Sequence, residues 1–237
     1  MRLSYIKLSI WIITFFGFAL ALPHITYAAT FVVNSTADRV DNNPGDAKCD
    51  TGQSTPQGKP ECTLRAAIQE TNALAGVDTI VLPAGIFQLT ISGPNENAAA
   101  TGDLDILDNL IIIGAGRDRT FIDGAGLDRV FDILSPASPT QPNAAIDVII
   151  THVTVRNGTA LGGGGIQYGS HLTVTNSTIS DNESTYDGGG LASCCPLHYD
   201  DPRLTMLDST VTRNKAPHNG GGIAASSSTS LTIKGVL

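Results

Sequence analysis

Two stretches of the chain, residues 172–182 and 204–214, superimpose without a gap at an offset of 32 residues. Leu172 matches Leu204, Val174 matches Met206, Ile179 matches Val211 and Asn182 matches Asn214. In each, apolar and polar positions first alternate with period two, as a half-buried strand requires. Asn or Asp follows where the chain must bend, because these residues tolerate left-handed backbone and bond their own main chain. A second short alternating piece comes next. A glycine run then turns the chain where a Cβ would clash. Three such runs occur, Gly162 to Gly165, Gly188 to Gly190 and Gly220 to Gly222, each leading into an apolar residue: Ile166, Leu191 and Ile223. A looser copy lies at 148–158, offset by 24, and a fourth begins at Leu231. Fixed-period self-similarity of this kind predicts a solenoid. Each repeat supplies about three short strands, stacked in parallel at roughly 4.8 Å per layer. The core is then a column of Leu, Ile and Val, each against its equivalent one layer away. The expected fold is all-β, a right-handed parallel β-helix with a short N-terminal helical cap.

The region ahead of the clear repeats fits the same scheme less regularly. Strand-like pieces fall at 79–82, 87–91, 110–113, 120–122 and 130–133, separated by turn signals at 83–85, 114–116 and 123–126. Residues 135–143 hold three prolines and read as an exposed loop. The insertion at 193–203 accounts for the longer repeat offset. One helix is predicted from Leu64 to Leu74, with Leu64, Ala67, Ile68, Thr71 and Leu74 at helical spacing and Thr63 as N-cap. A helix ahead of the first strands covers the open end of such a stack, whose apolar edge otherwise invites aggregation. At the other end the chain stops partway through a repeat, as a fragment of a longer gene product would.

The first 28 residues add an address. Arg2 and Lys7 precede an almost wholly apolar run from Ile10 to Leu22, and Thr26 and Ala28 place small residues where a signal peptidase reads. Cleavage is expected near Ala28, and no second apolar run of membrane-spanning length follows. The expected division is a signal peptide at 1–28, a cap at 29–76 and a parallel β-helix at 77–237. Removal of Arg2 and Lys7 leaves 12 basic and 22 acidic residues, a net charge of −10. Such a surface repels phosphate backbones and excludes nucleic acid as a partner. Export favours disulfides among the four cysteines. Cys49 with Cys62 is the favoured pair, closing a turn-rich loop that holds Pro56, Gly58 and Pro60. For the adjacent Cys194 and Cys195 a vicinal disulfide, reduced thiols and pairing elsewhere stay open. Zinc is disfavoured, because no CxxC spacing occurs.

Residues 31–82 resemble the CSLREA domain found at the N-terminus of many secreted bacterial β-helix proteins. The matching residues are Phe31 to Asn34, Pro44 to Asp46 with Cys49, Cys62 to Ala67, Glu70 to Ala73, and Asp78 to Pro83. The namesake hexapeptide differs at Thr63 and Ala66, where the family has Ser and Glu. The downstream repeats resemble those of polymorphic outer-membrane proteins. The resemblance implies the architecture and carries no activity onto any residue.

Parallel β-helices also host polysaccharide lyases and hydrolases, whose chemistry needs paired acids on one face. The candidates are Asp181 with Asp187, Asp200 with Asp201, and Asp123 with Asp128 and Asp132. Their turn or outward positions favour solvated surface acids. Arg156 and Arg213 suggest a basic strip, but Asp181 falls between them and neutralises it. His152, His171, His198 and His218 occupy different repeat positions and show no metal-binding spacing. Asp38, Asp41, Asn42, Asn43, Asp46 and Asp50 form an oxygen-rich cluster suited to calcium, although turn chemistry accounts for the same residues. No other cofactor is indicated, and no catalytic residue is assigned. The expected function is an exported, non-catalytic scaffold binding a glycan or cell-surface ligand. The alternatives are a carbohydrate-active enzyme on the same fold and a truncated autotransporter passenger.

Overall fold

A computed structural model of the chain describes residues 28–93, 96–134, 145–194, 202–227 and 229–237. Residues 1–27 of the expected signal peptide at 1–28, the proline-rich loop and most of the 193–203 insertion, including Cys195, His198, Asp200 and Asp201, lie outside the described residues.

Strand pairing throughout the described sheets is parallel. A seven-stranded sheet runs in the order Thr30–Val32, Asp78–Val81, Leu110–Ile113, Asp147–Thr151, His171–Thr175, Arg203–Leu207 and Ser230–Lys234. A five-stranded sheet, here called the floor sheet, contains Leu104–Ile106, Phe131–Ile133, Ile166–Tyr168, Leu191–Ser193 and Ile223–Ala224. A third contains Gly85–Gln88, Thr120–Asp123, Thr154–Arg156, Thr178–Ser180 and Thr210–Thr212. A two-stranded ribbon, Thr159–Gly162 with Glu183–Asp187, stands beside them. The three large sheets each take one strand per repeat, so neighbours in space are equivalents in sequence.

The register is the one the sequence alignment gives. Val148, Leu172 and Leu204 align across three strands, as do Ile150, Val174 and Met206. Ile179 faces Val155 on one side and Val211 on the other. Apart from Val211, which is half-buried, these side chains are buried in one continuous core. In the final strand the same inward positions, Leu231 and Ile233, are exposed.

Corners follow the register too. His152, Asn176 and Asp208 hold left-handed backbone at one corner, and Asn157, Asp181 and Arg213 at the next. Beside the second corner runs an asparagine ladder. The Asn214 side-chain oxygen accepts from Asn182 N and Nδ2, and the Asn182 oxygen accepts from Gly158 N. The glycine runs stack as well. Gly163, Gly188 and Gly220 are all left-handed. A Cβ on Gly190 would collide with the Gly222 carbonyl in the next layer.

The helix spans Leu64–Ala73, and Thr63 Oγ1 accepts from Ala66 N as N-cap. Leu64, Ala67 and Ile68 join the core. The Cys49–Cys62 disulfide ties the preceding loop to its start. The polar positions Arg65, Gln69 and Asn72 are also engaged. Arg65 pairs with Asp38 and donates to the carbonyls of Ala99, Gly102 and Asp103, and its side chain is fully buried. Gln69 donates to Ala99 O and Asn72 to Asp105 O. This stripe binds the 96–107 segment to the helix.

Two expectations need correction. The strand expected at 87–91 is Gly85–Gln88, because the N–H groups of Thr90 and Ile91 leave the ladder for the Asp38 carboxylate. Leu104–Ile106 is a strand that its acid-flanked sequence did not reveal.

Truncating Arg65 leaves Asp38 buried without its partner. Arg65→Ala is expected to lose about 3–5 kcal/mol of stability in urea unfolding. Retention of wild-type stability would show that this ion pair does not hold the 96–107 segment.

Candidate functional site

The outward row of the floor sheet places Asp105, Asp132, Gln167, Ala192 and Ala224 one above another, one residue per layer. The row divides into a covered half and an open half. Over Asp105 and Asp132 lies the 96–103 segment, which ends in Asp103. Over Gln167, Ala192 and Ala224 the surface opens into a groove.

In the covered half, one carboxylate oxygen from each of Asp103, Asp105 and Asp132 lies within 4.8 Å of the others. All three residues are buried. Asp105 Oδ2 accepts from Ala99 N, but Oδ1 has no hydrogen-bond partner. Arg129 is the nearby cation. Its Nε lies 2.9 Å from Asp103 Oδ2 and its Nη1 3.6 Å from Asp132 Oδ2, neither with hydrogen-bond geometry. Burial, reinforced by Asp105, Asp128 and Asp132 and opposed by Arg129, pushes Asp103 up to about 8. Burial likewise carries Asp105 up to about 7; the Ala99 N–H and Arg129 oppose the rise, and Glu96 and Asp132 add to it. Asp132 is raised by burial against the pull of Arg129 and Gln167. Three adjacent oxygens of this kind suit either shared protons or a hard divalent cation.

The open half is a groove of about 620 Å³, within the range of roughly 300–1,000 Å³ usual for small-ligand sites. Gln167, Ala192 and Ala224 form its floor, and Leu161 and Tyr186 of the ribbon help line it. Both ribbon side chains are largely exposed. Tyr186 packs on His218 with ring centroids 4.5 Å apart. Asp187 and Asn219 also line the groove, and Asp187 Oδ1 holds Asn219 N at 2.8 Å. Arg129 stands where the groove meets the acidic cluster, and Gln167 Nε2 reaches Asp132 Oδ1 at 3.4 Å.

The sequence-based candidates scatter. Asp123 and Asp132 are buried rather than solvated. Asp123 accepts from Arg156 and Asn157, so its charge is satisfied within the third sheet. Asp181 binds Arg213 through both oxygens, and the guanidinium holds its carboxyl below the usual range. The basic strip of Arg156 and Arg213 is therefore neutralised. Asp187 reaches the groove. His152 contacts Thr151 and His171 contacts Asp147, at opposite ends of the Asp147–Thr151 strand. The oxygens of Asp41, Asp46 and Asp50 accept backbone N–H groups of their own turns, and Asp38 serves Arg65. That region is built as turns. Sequence reasoning passed over Asp103 and Asp105, whose only signal was two acids flanking Leu104 in an unrecognised strand.

No family model, curated relative or solved structure matches the chain.

Raised carboxyl pKa values make stability fall as pH rises. Above about pH 4 the folded chain holds protons that the unfolded chain has released, on Asp105 up to about pH 7 and on Asp103 up to about pH 8. In chelator-containing buffer, unfolding free energy is expected to be larger at pH 5 than at pH 8. Asp103→Asn with Asp105→Asn should flatten that slope. An unchanged slope would mean the two groups titrate normally.

Proposed function

We propose that this chain is an exported, right-handed parallel β-helix that binds glycan through the groove over its floor sheet. Parallel strand order supports the winding, since parallel crossover connections are right-handed in nearly all proteins. The Cys49–Cys62 disulfide agrees with an oxidising destination, and the N-terminal pattern of Arg2, Lys7 and the apolar run supplies the export signal. No described helix is long and apolar enough to cross a membrane. The resemblance of residues 31–82 to CSLREA domains gives the disulfide-tied helix the role of N-terminal cap.

The observation that carries the ligand assignment is the groove itself. An exposed tyrosine backed by His218 offers a flat apolar face. Gln167, Asp187 and Asn219 offer amide and carboxylate groups around it. Stacking on one face with polar groups converging from the other sides is how a polyhydroxylated ring is held. The net charge of −10 directs the choice to neutral or cationic sugars rather than polyanions.

A second reading, a carbohydrate-active enzyme, draws on Asp132. Its carboxyl is raised by burial and it adjoins the groove through Gln167 and Arg129. A raised carboxyl is what a general acid requires. Its burial beneath the 96–103 segment favours the binding role.

A glycan array followed by titration calorimetry tests the assignment. Tyr186→Ala is expected to weaken the best ligand by about tenfold or more, with unchanged unfolding, because the ring is largely exposed. No ligand across the array, or equal binding by the variant, overturns the groove assignment. Release of reducing ends that disappears in Asp132→Asn would establish the enzyme instead.

A further inference from the structure

We propose that Asp103, Asp105 and Asp132 form a divalent-cation site, with calcium as the natural occupant. Four acids, including Asp128, surround a single guanidinium at this point. The Asp128 carboxylate occupies the space that a Cβ on Gly102 would take, which sets it beside Asp103. A single arginine cannot neutralise four ionised carboxylates; its Nε and Nη1 make no well-formed hydrogen bond, and only its backbone N–H donates to Asp128 Oδ1, at 2.8 Å. The fully buried Asp105 keeps one oxygen without a partner, a state that is costly for a charged group. Oxygens that lie within 4.8 Å of one another are close enough to share one ion at a calcium–oxygen distance of about 2.4 Å. Calcium accepts irregular carboxylate geometry completed by water, whereas magnesium demands near-ideal octahedra. Arg129 borders the groove, so the ion has an entry route, and the guanidinium is the competitor it displaces. The ion would tie the 96–103 segment to two adjacent floor strands.

Calcium titration of the mature chain, read by calorimetry and thermal unfolding, tests the site. One ion is expected to bind and raise Tm. Asp105→Asn should weaken binding by about tenfold or more, and Asp132→Asn provides a second probe. Arg129→Gln should tighten it, an effect that a purely structural arginine would not produce. No calcium response in the wild-type chain overturns the proposal. So does an equal response in both asparagine variants that keep native circular dichroism, since the ion would then bind elsewhere.

A separate observation concerns the start of the mature chain and rests on the export reading. Ala29 N lies 2.7 Å from Asp78 Oδ1. Asp78 is fully buried, its Oδ2 has no partner, and Asp108 is the charged group acting on it. The geometry points to a half-buried ion pair between Asp78 and the α-ammonium created when a signal peptidase cuts after Ala28. Hydrolysis of the Ala28–Ala29 bond adds hydroxyl to the Ala28 carbonyl carbon and hydrogen to Ala29 nitrogen, which takes up a further proton from solvent. The resulting ammonium supplies the positive charge and the additional N–H donors that Asp78 lacks. Processing thereby completes the fold at its first strand.

Intact mass and unfolding of the secreted protein test this. A start at Ala29 is expected, and a form extended by two residues should melt lower by about 5 °C. Asp78→Asn should abolish that difference. A different N-terminal residue overturns the processing position. A start at Ala29 with equal Tm for extended and authentic chains overturns the ion pair alone.

Discussion

In-register parallel stacking is the constraint on which this molecule depends. A residue in one layer faces its equivalent in the next, so each position becomes a column. Aliphatic columns such as Leu172 on Leu204 and Val174 on Met206 bury apolar surface continuously. Polar columns must close their own hydrogen bonds, and the Asn182–Asn214 ladder does so. Acidic columns cannot, because like charges meet directly across the ladder. Asp105 on Asp132 is that case. The same register that builds the core therefore gathers buried acids at one point.

Two ways of relieving charge are visible on different faces. The third sheet alternates sign from layer to layer, with Arg156 on Asp123 and Arg213 on Asp181. Each pair is local and leaves no net demand. The floor sheet repeats the same sign, and one arginine serves several acids. There the carboxyl groups must hold protons or take a cation. Function in a repeat protein tends to collect where the repeat is broken. Here the break is a shift along one row from acids to amide to alanine, and the groove opens where the acids end.

The helix links these features. Its apolar positions enter the core while Arg65, Gln69 and Asn72 grip the segment that covers the acidic cluster. Because Arg65 donates to the carbonyls of Gly102 and Asp103, the position of Asp103 depends on the helix. The Cys49–Cys62 bridge fixes the chain just ahead of that helix. Stability of the N-terminal region and geometry of the acidic site are thus one mechanical unit.

The repeat, the parallel registers at offsets of 24 and 32, the helix and its Thr63 cap, and the Cys49–Cys62 bridge were all legible from residue order. They arise from local periodicity and from chemistry between near neighbours. The strand at Leu104–Ile106 was hidden, because the acids on both sides of Leu104 favour solvent until a covering segment buries them. The pairing of Asp105 with Asp132, 27 residues apart in the chain, appears only when two layers stack. Nothing in the local pattern marks Arg65 as buried, yet the fold closes carbonyls and Asp38 around it. Tyr186 became a groove wall only once the ribbon stood beside the floor sheet. Sequence by itself determined which residues form columns. Tertiary structure decided which columns are covered and which face solvent, because burial and electrostatic environment depend on segments brought together from distant parts of the chain.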